Sequence, residues 1–158
     1  MFRPMQRKKQ QLSEAECLQI LKTEPRGVLS VSGVDGSPFG IPHNHWYCEE
    51  DGRLYFHSGK TGHKIDAIQA NEKVSYCVLG SGFHKPGDWA LSFQSVIVFG
   101  RVNIVKDQEK ALEITRRLSH SFTSDSDYIE KEIRSSGRAV LVFALEIEHI
   151  CGKLVRES

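Results

Sequence analysis

The sequence predicts a mainly β domain with flanking helices, a six-stranded antiparallel barrel. Hairpin-type turn signals, Asp35-Gly36-Ser37 and Glu50-Asp51-Gly52, separate the first three β-rich stretches by only a few residues. Period-two alternation runs through Val74, Tyr76 and Val78, and a second β-rich run extends from Leu91 to Val105. No βαβ unit repeats, which disfavours a doubly wound sheet.

The 158 residues suffice for one domain with a core of its own. Twenty-one Lys and Arg against 20 Asp and Glu leave a net charge of +1, without the basic excess that nucleic-acid binding requires. Residues 1–12, with Arg7-Lys8-Lys9 and no interleaved aromatics, read as a flexible basic arm, and residues 13–158 as a single domain. The arm's polarity leaves no signal peptide or membrane span to expect. Cys17, Cys48, Cys77 and Cys151 form no C-x-x-C pair and no zinc-like spacing. They read as reduced thiols, and a cytoplasmic location follows as an expectation.

Ser13-Glu14-Ala15-Glu16 is a capping-box pattern that starts a helix running to about Thr23, which Pro25 ends. Strands follow over 27–32, Phe39 to Cys48 and Arg53 to Ser58. After Gly59-Lys60-Thr61-Gly62, Ile65 and Ile68 share one face of a short helix that Asn71 stops. The strand Lys73 to Leu79 is separated by a Gly/Pro loop from Leu91 to Val105, whose length predicts a bend near Gly100. Asp107 caps a helix to about Ser119, a more polar helix spans Asp125 to Arg134, and a final strand runs from Arg138 to about Ile147.

The segment Tyr55 to Lys64 holds what a phosphate dianion needs. His57 and Ser58 can donate from a strand end, glycines let the backbone approach, and His63 and Lys64 open a helix whose dipole favours an anion. On spacing alone an ordinary polar strand-to-helix loop explains the same residues, because no P-loop or G-x-G-x-x-G fingerprint is present.

YFHSGKTGHKIDAIQANEKVSY, followed by SFQSVIVFGRVNIV, resembles the flavin-binding core of the pyridoxamine 5'-phosphate oxidase-like split barrels, with the nearest likeness to their 5-nitroimidazole-resistance (Nim) branch. GVLSVSGVDGSPFGIPHNHWY is similar to that branch's first hairpin, and the opening Arg7-Lys8 and closing Gly152-Lys153 resemble its ends. The resemblance implies an FMN-binding split barrel, with FMN in the cleft of a homodimer. It places flavin contacts on Ile41, Pro42, His43 and Asn44, and the phosphate-contacting strand end on Phe56 and His57. The basic phosphate pair falls on His63 and Lys64, with His63 standing where the oxidase has arginine. The flavin-contacting glutamine falls on Ser95 or its neighbour Gln94, of which only one can face the flavin. The oxidase's substrate-facing lysine falls near Trp46, and its C-terminal Trp and Arg-x-His elements are absent after residue 105. The resemblance therefore implies an FMN-dependent reductase of nitroaromatic or other small planar substrates, with NAD(P)H a candidate electron donor, and not a vitamin B6 oxidase.

His43 and His57, on cofactor-lining strands, are candidate proton donors beside flavin N5. His43-Asn44-His45 is an H-x-H on one strand, with His57 a conceivable third ligand, but no carboxylate joins them at a recognisable spacing and no metal is expected. Trp46, Tyr47, Trp89 and Phe93 suit either ring stacking or core and interface packing. The alternative to an enzyme is a non-catalytic flavin- or haem-binding module, with His43, His45 or His120 as axial ligand.

Overall fold

A computed structural model describes residues 1–157. Helix α1 (Glu14–Thr23) starts on the expected capping box: the Ser13 hydroxyl accepts from the Glu16 N–H, and the Glu16 carboxylate accepts from the Ser13 N–H at 2.7 Å. The chain continues through β1 (Arg26–Ser32), β2 (Pro38–Asn44), β3 (Trp46–Cys48), β4 (Arg53–Gly59), α2 (His63–Ala70), β5 (Lys73–Leu79), β6 (Phe83–His84) and β7 (Leu91–Ile104). Helices α3 (Gln108–His120) and α4 (Ser126–Ser136), capped by the carboxylates of Asp107 and Asp125, precede β8 (Val140–Glu157).

All pairings are antiparallel, in the order β2-β1-β5-β7-β8-β4-β3, with β6 added beside β7. The sheet has eight strands, not the expected six. The run expected over residues 39–48 divides at His45, because the chain there leaves its pairing with β1 and begins pairing with β4. A two-residue strand also forms within the Gly/Pro loop. The last strand continues ten residues past Ile147, because the whole length of β7 offers it a partner. The bend in β7 lies where expected: register shifts between Phe99 and Gly100, and a Cβ on Gly100 would meet the Glu146 carbonyl oxygen at 1.9 Å.

Inward residues of the curled sheet, among them Leu29, Phe56, Val78, Val96 and Phe143, pack with Cys17 and Leu21 of α1 and Ile65 and Ile68 of α2. Burying each large apolar side chain contributes about 1.5–3 kcal/mol. Helix α3 lays Ala111, Ile114 and Leu118 over Tyr55, Val142 and Ala144 on the other face of β4 and β8. A further stretch of outer face lies open. Pro42, Val28, Cys77, Ile97 and Cys151 stand in line across five strands, with Val28 38% and Ile97 37% exposed.

The N-terminal arm touches this body at both ends. Phe2 stacks on His149 with ring centroids 4.9 Å apart, and Leu12 is buried after Gln11 bridges to Lys153. Among the described residues no helix is long and apolar enough to cross a membrane.

Candidate functional site

The hairpin about Asp35 sets Arg26 opposite Asn44, and the Arg26 Nε–H donates to Asn44 Oδ1 at 2.8 Å. His57 and Ser58 stand near the end of β4, and the loop after it delivers Lys64 to the first turn of α2. Arg26, Pro42, His43, Asn44, His57 and Lys64 line one cavity of about 310 Å³. Two fixed cations face it and no carboxylate lines it.

Helix α2 reinforces that charge. Its N-cap, Gly62, has φ +126°, a left-handed value open to glycine, and no side chain caps the helix. The N–H groups of its first turn therefore lack a helical or capping partner and carry the positive end of the dipole. Lys64 stands in that first turn and Arg26 faces the same cavity, a donor set suited to an anion.

Lys64 Nζ lies 3.0 Å from His43 Nε2, and His43 Nδ1 lies 2.9 Å from the Asn44 carbonyl oxygen. An ammonium only donates and a carbonyl only accepts, so Nε2 is the bare nitrogen and Nδ1 carries the hydrogen. Burial, opposed by the bond to Asn44 and reinforced by Lys64, brings the His43 pKa down to about 4. Crowding by protein atoms and then Lys64 also lower the pKa of His57, although its ring reaches solvent. Burial lowers that of Lys64.

Beneath this wall lies a second network. The Tyr76 hydroxyl is 2.7 Å from the His43 carbonyl oxygen and 2.7 Å from His45 Nδ1, and His45 Nε2 is 2.7 Å from the Leu21 carbonyl oxygen. Burial pushes the Tyr76 phenol up and the His45 imidazole down. His43 and His45 thus have separate partners, and among the described residues no cluster of His, Cys, Asp and Glu is arranged to hold a metal.

The structure brings together Pro42, His43, Asn44, His57 and Lys64 of the expected residues. Ile41 packs against the core from β2, and Phe56 is wholly buried, stacked on Phe143. Ser58 is half-buried one residue beyond His57. His63 lies outside the cavity lining, its ring stacked on Phe39 at 4.5 Å. Gln94 and Ser95 sit on β7, away from the cavity, with Ser95 on the bare outer face beside Ile97 and Gln94 on the opposite face. Trp46 and Tyr47 line a different cleft against α3, Phe93 is half-buried in β7, and Trp89 stands 77% exposed. As haem ligands, His43 and His45 have both nitrogens engaged, and His120 sits at the exposed end of α3.

Arg26 was not among the expected residues. The signal was present in the hairpin register, which sets this cation opposite the Asn44 already singled out.

A family model described as pyridoxamine 5'-phosphate oxidase matches residues 13–154. No curated protein sequence matches significantly. Among solved structures, a candidate 5-nitroimidazole antibiotic resistance protein from Bacteroides thetaiotaomicron superposes with TM-score 0.76 at 21% identity, covering 93% of this chain and 87% of that one. A FAD-binding protein from Mesorhizobium loti gives 0.64 at 25% identity, over 92% and 96% of the two chains. A FAD and heme binding protein from Mycobacterium smegmatis gives 0.68 at 18%, over 92% and 73%.

Proposed function

The chain belongs to the pyridoxamine 5'-phosphate oxidase family, and from that premise we propose that it is an FMN-dependent oxidoreductase that reduces a small planar substrate in a homodimer cleft. The observation that carries this reading is the pairing of Arg26 with Lys64, the latter from the first turn of the uncapped helix α2, in a cavity without carboxylates. That donor set fits a phosphate dianion. When bound, the flavin would supply hydride or electron transfer.

The chain's own residues bind, orient and move protons. Lys64 and the free N–H groups of α2 hold the phosphate, with Arg26 beside them and the backbone from Ile41 to Asn44 forming the wall. His43, neutral with its hydrogen committed to Asn44, is an orienting acceptor. His57 makes no side-chain hydrogen bond among the described residues and lines the same cavity, so it is the imidazole free to pass a proton.

The bare face supports the dimer. Its line of residues from Cys151 to Val28 ends at Pro42, which also lines the cavity, so a second copy seated there borders the site. Ser95, on that face, is then the member of its pair offered to the partner's flavin. The protein works in the cytoplasm, where its thiols stay reduced and NAD(P)H is at hand.

The purified full-length chain should carry a visible flavin spectrum, and acid should release FMN rather than FAD, as identified by chromatography. Anaerobic NADH or NADPH should bleach it, and a nitroimidazole or quinone should restore the colour. A protein that takes up no flavin sinks the reading, whereas flavin that NAD(P)H never bleaches leaves only a binding module.

A further inference from the structure

The network under His43 contains three short contacts and, in its neutral form, two hydrogens. The carbonyl oxygens of Leu21 and His43 can only accept. A neutral His45 brings one hydrogen and the Tyr76 phenol another, while the contacts at Leu21, between His45 and Tyr76, and at His43 require three. An imidazolium supplies the third.

Which contact goes unserved is set by the sequence. The Leu21 carbonyl lies in the last turn of α1, and the residue four positions on is Pro25, which has no N–H to offer it. Among the described residues the hydrogen placed for that carbonyl is on His45 Nε2. In the neutral imidazole Nδ1 is then bare and takes the phenol hydrogen, and the His43 carbonyl, paired in the ladder with Gly27, goes without the phenol's hydrogen.

We infer that His45 is a buried proton switch for strand β2: protonation turns the Tyr76 hydroxyl from His45 Nδ1 to the His43 carbonyl and ties down the strand that lines the anion cavity. Its effect on cofactor binding rests on the flavin reading above; the switch itself does not.

The surroundings leave His45 in charge. Lys22 in the last turn of α1 and Glu24 after it, and Tyr47 on β3 and Glu49 after it, line the cleft beside it, while Arg26 on β1 and Cys77 on β5 lie near Tyr76. His43 stands on the far side of Tyr76. None of these side chains except Tyr76 bonds to the His45 ring, so burial sets its titration below the usual imidazole range. Gly27 admits the phenol: a Cβ there would meet Tyr76 Cζ at 2.7 Å.

The test is imidazole and amide NMR of the ¹⁵N-labelled full chain from pH 8 to 4.5, without flavin, on wild type, Tyr76→Phe and His45→Gln. At pH 8 His45 should be the Nε2–H tautomer. As it becomes imidazolium, the Asn44 amide, which reports on the His43 carbonyl, should shift with the same midpoint. Both variants should lose that Asn44 step and keep the step due to His57. An Nδ1–H tautomer at pH 8, or an Asn44 step surviving in Tyr76→Phe, overturns the switch. Tyr76→Phe, which deletes one oxygen, keeps the test open should His45→Gln fail to fold.

FMN titrations of the same proteins then separate the two claims. Below the His45 midpoint the wild type should gain about fivefold in affinity relative to Tyr76→Phe, the yield of one net hydrogen bond. Equal pH dependence in both overturns the coupling. Absence of FMN binding with the NMR steps intact overturns the flavin reading and leaves the switch standing.

Discussion

Lys64 donates to the bare Nε2 of a neutral His43 across 3.0 Å, so the principal cation of the cavity is held by an imidazole with no charge of its own. The ammonium is positioned without being neutralised. Lys64→Ala should weaken FMN binding roughly 10- to 100-fold, the equivalent of one charge-assisted hydrogen bond, and Lys64→Glu should abolish flavin retention, both with unchanged circular dichroism. Unaltered flavin content in Lys64→Glu would move the phosphate elsewhere.

Acid should destabilise the fold through His43. Its pKa falls from 6.5 to about 4, so between those values the unfolded chain binds the proton and the native one does not. The contribution is complete above about pH 6.5 and lost as pH falls toward 4, up to about 3 kcal/mol. Urea denaturation across this range should show a shallower slope in His43→Gln. His45 and His57, lowered in the same direction, retain part of it.

The bare sheet face predicts the consequences of breaking a dimer. Ile97→Lys, at the centre of the line Val28, Cys77, Ile97 and Cys151, should yield a monomer by light scattering. Cys77 and Cys151 should alkylate slowly in the wild type and fast in that variant. Equal rates at a concentration where the wild type is dimeric would place the interface on another surface.

Gly100→Ala tests the bulge. The added methyl would stand 1.9 Å from the Glu146 carbonyl, which the paired β8 backbone cannot withdraw. A loss of about 3 kcal/mol or more is expected in thermal or chemical denaturation, at the upper end of overpacking costs. Gly59→Ala, with open space around its Cβ, serves as the control.

Local chemistry made most of the fold legible. The Ser13 capping box, the Asp107 and Asp125 caps, and the alternation in β5 all translate directly into elements. The division at His45 was not legible, because Phe39 to Cys48 reads as one strand and only tertiary pairing tells where it changes partners. The tail past Ile147 depended likewise on the reach of β7.

At the site, Lys64 and the Pro42-His43-Asn44 wall followed from residue types and family likeness. Arg26 was hidden because a cation after Pro25 looks like any solvated strand end until the hairpin register is counted. His63 misled for the opposite reason. It adjoins Lys64 in sequence, but successive residues on a helix point about 100° apart, and its ring settled on Phe39.

The single residue between β2 and β3 also governs how this barrel can breathe. Those strands are the two ends of the sheet, yet only His45 separates them along the chain. The seam is clasped at that point, so its lips can part only toward the Pro38 end of β2. Thermal opening, and the passage of any large guest, must therefore work like a purse with one fixed corner. Amide exchange along β2 should accordingly quicken from Asn44 toward Pro38.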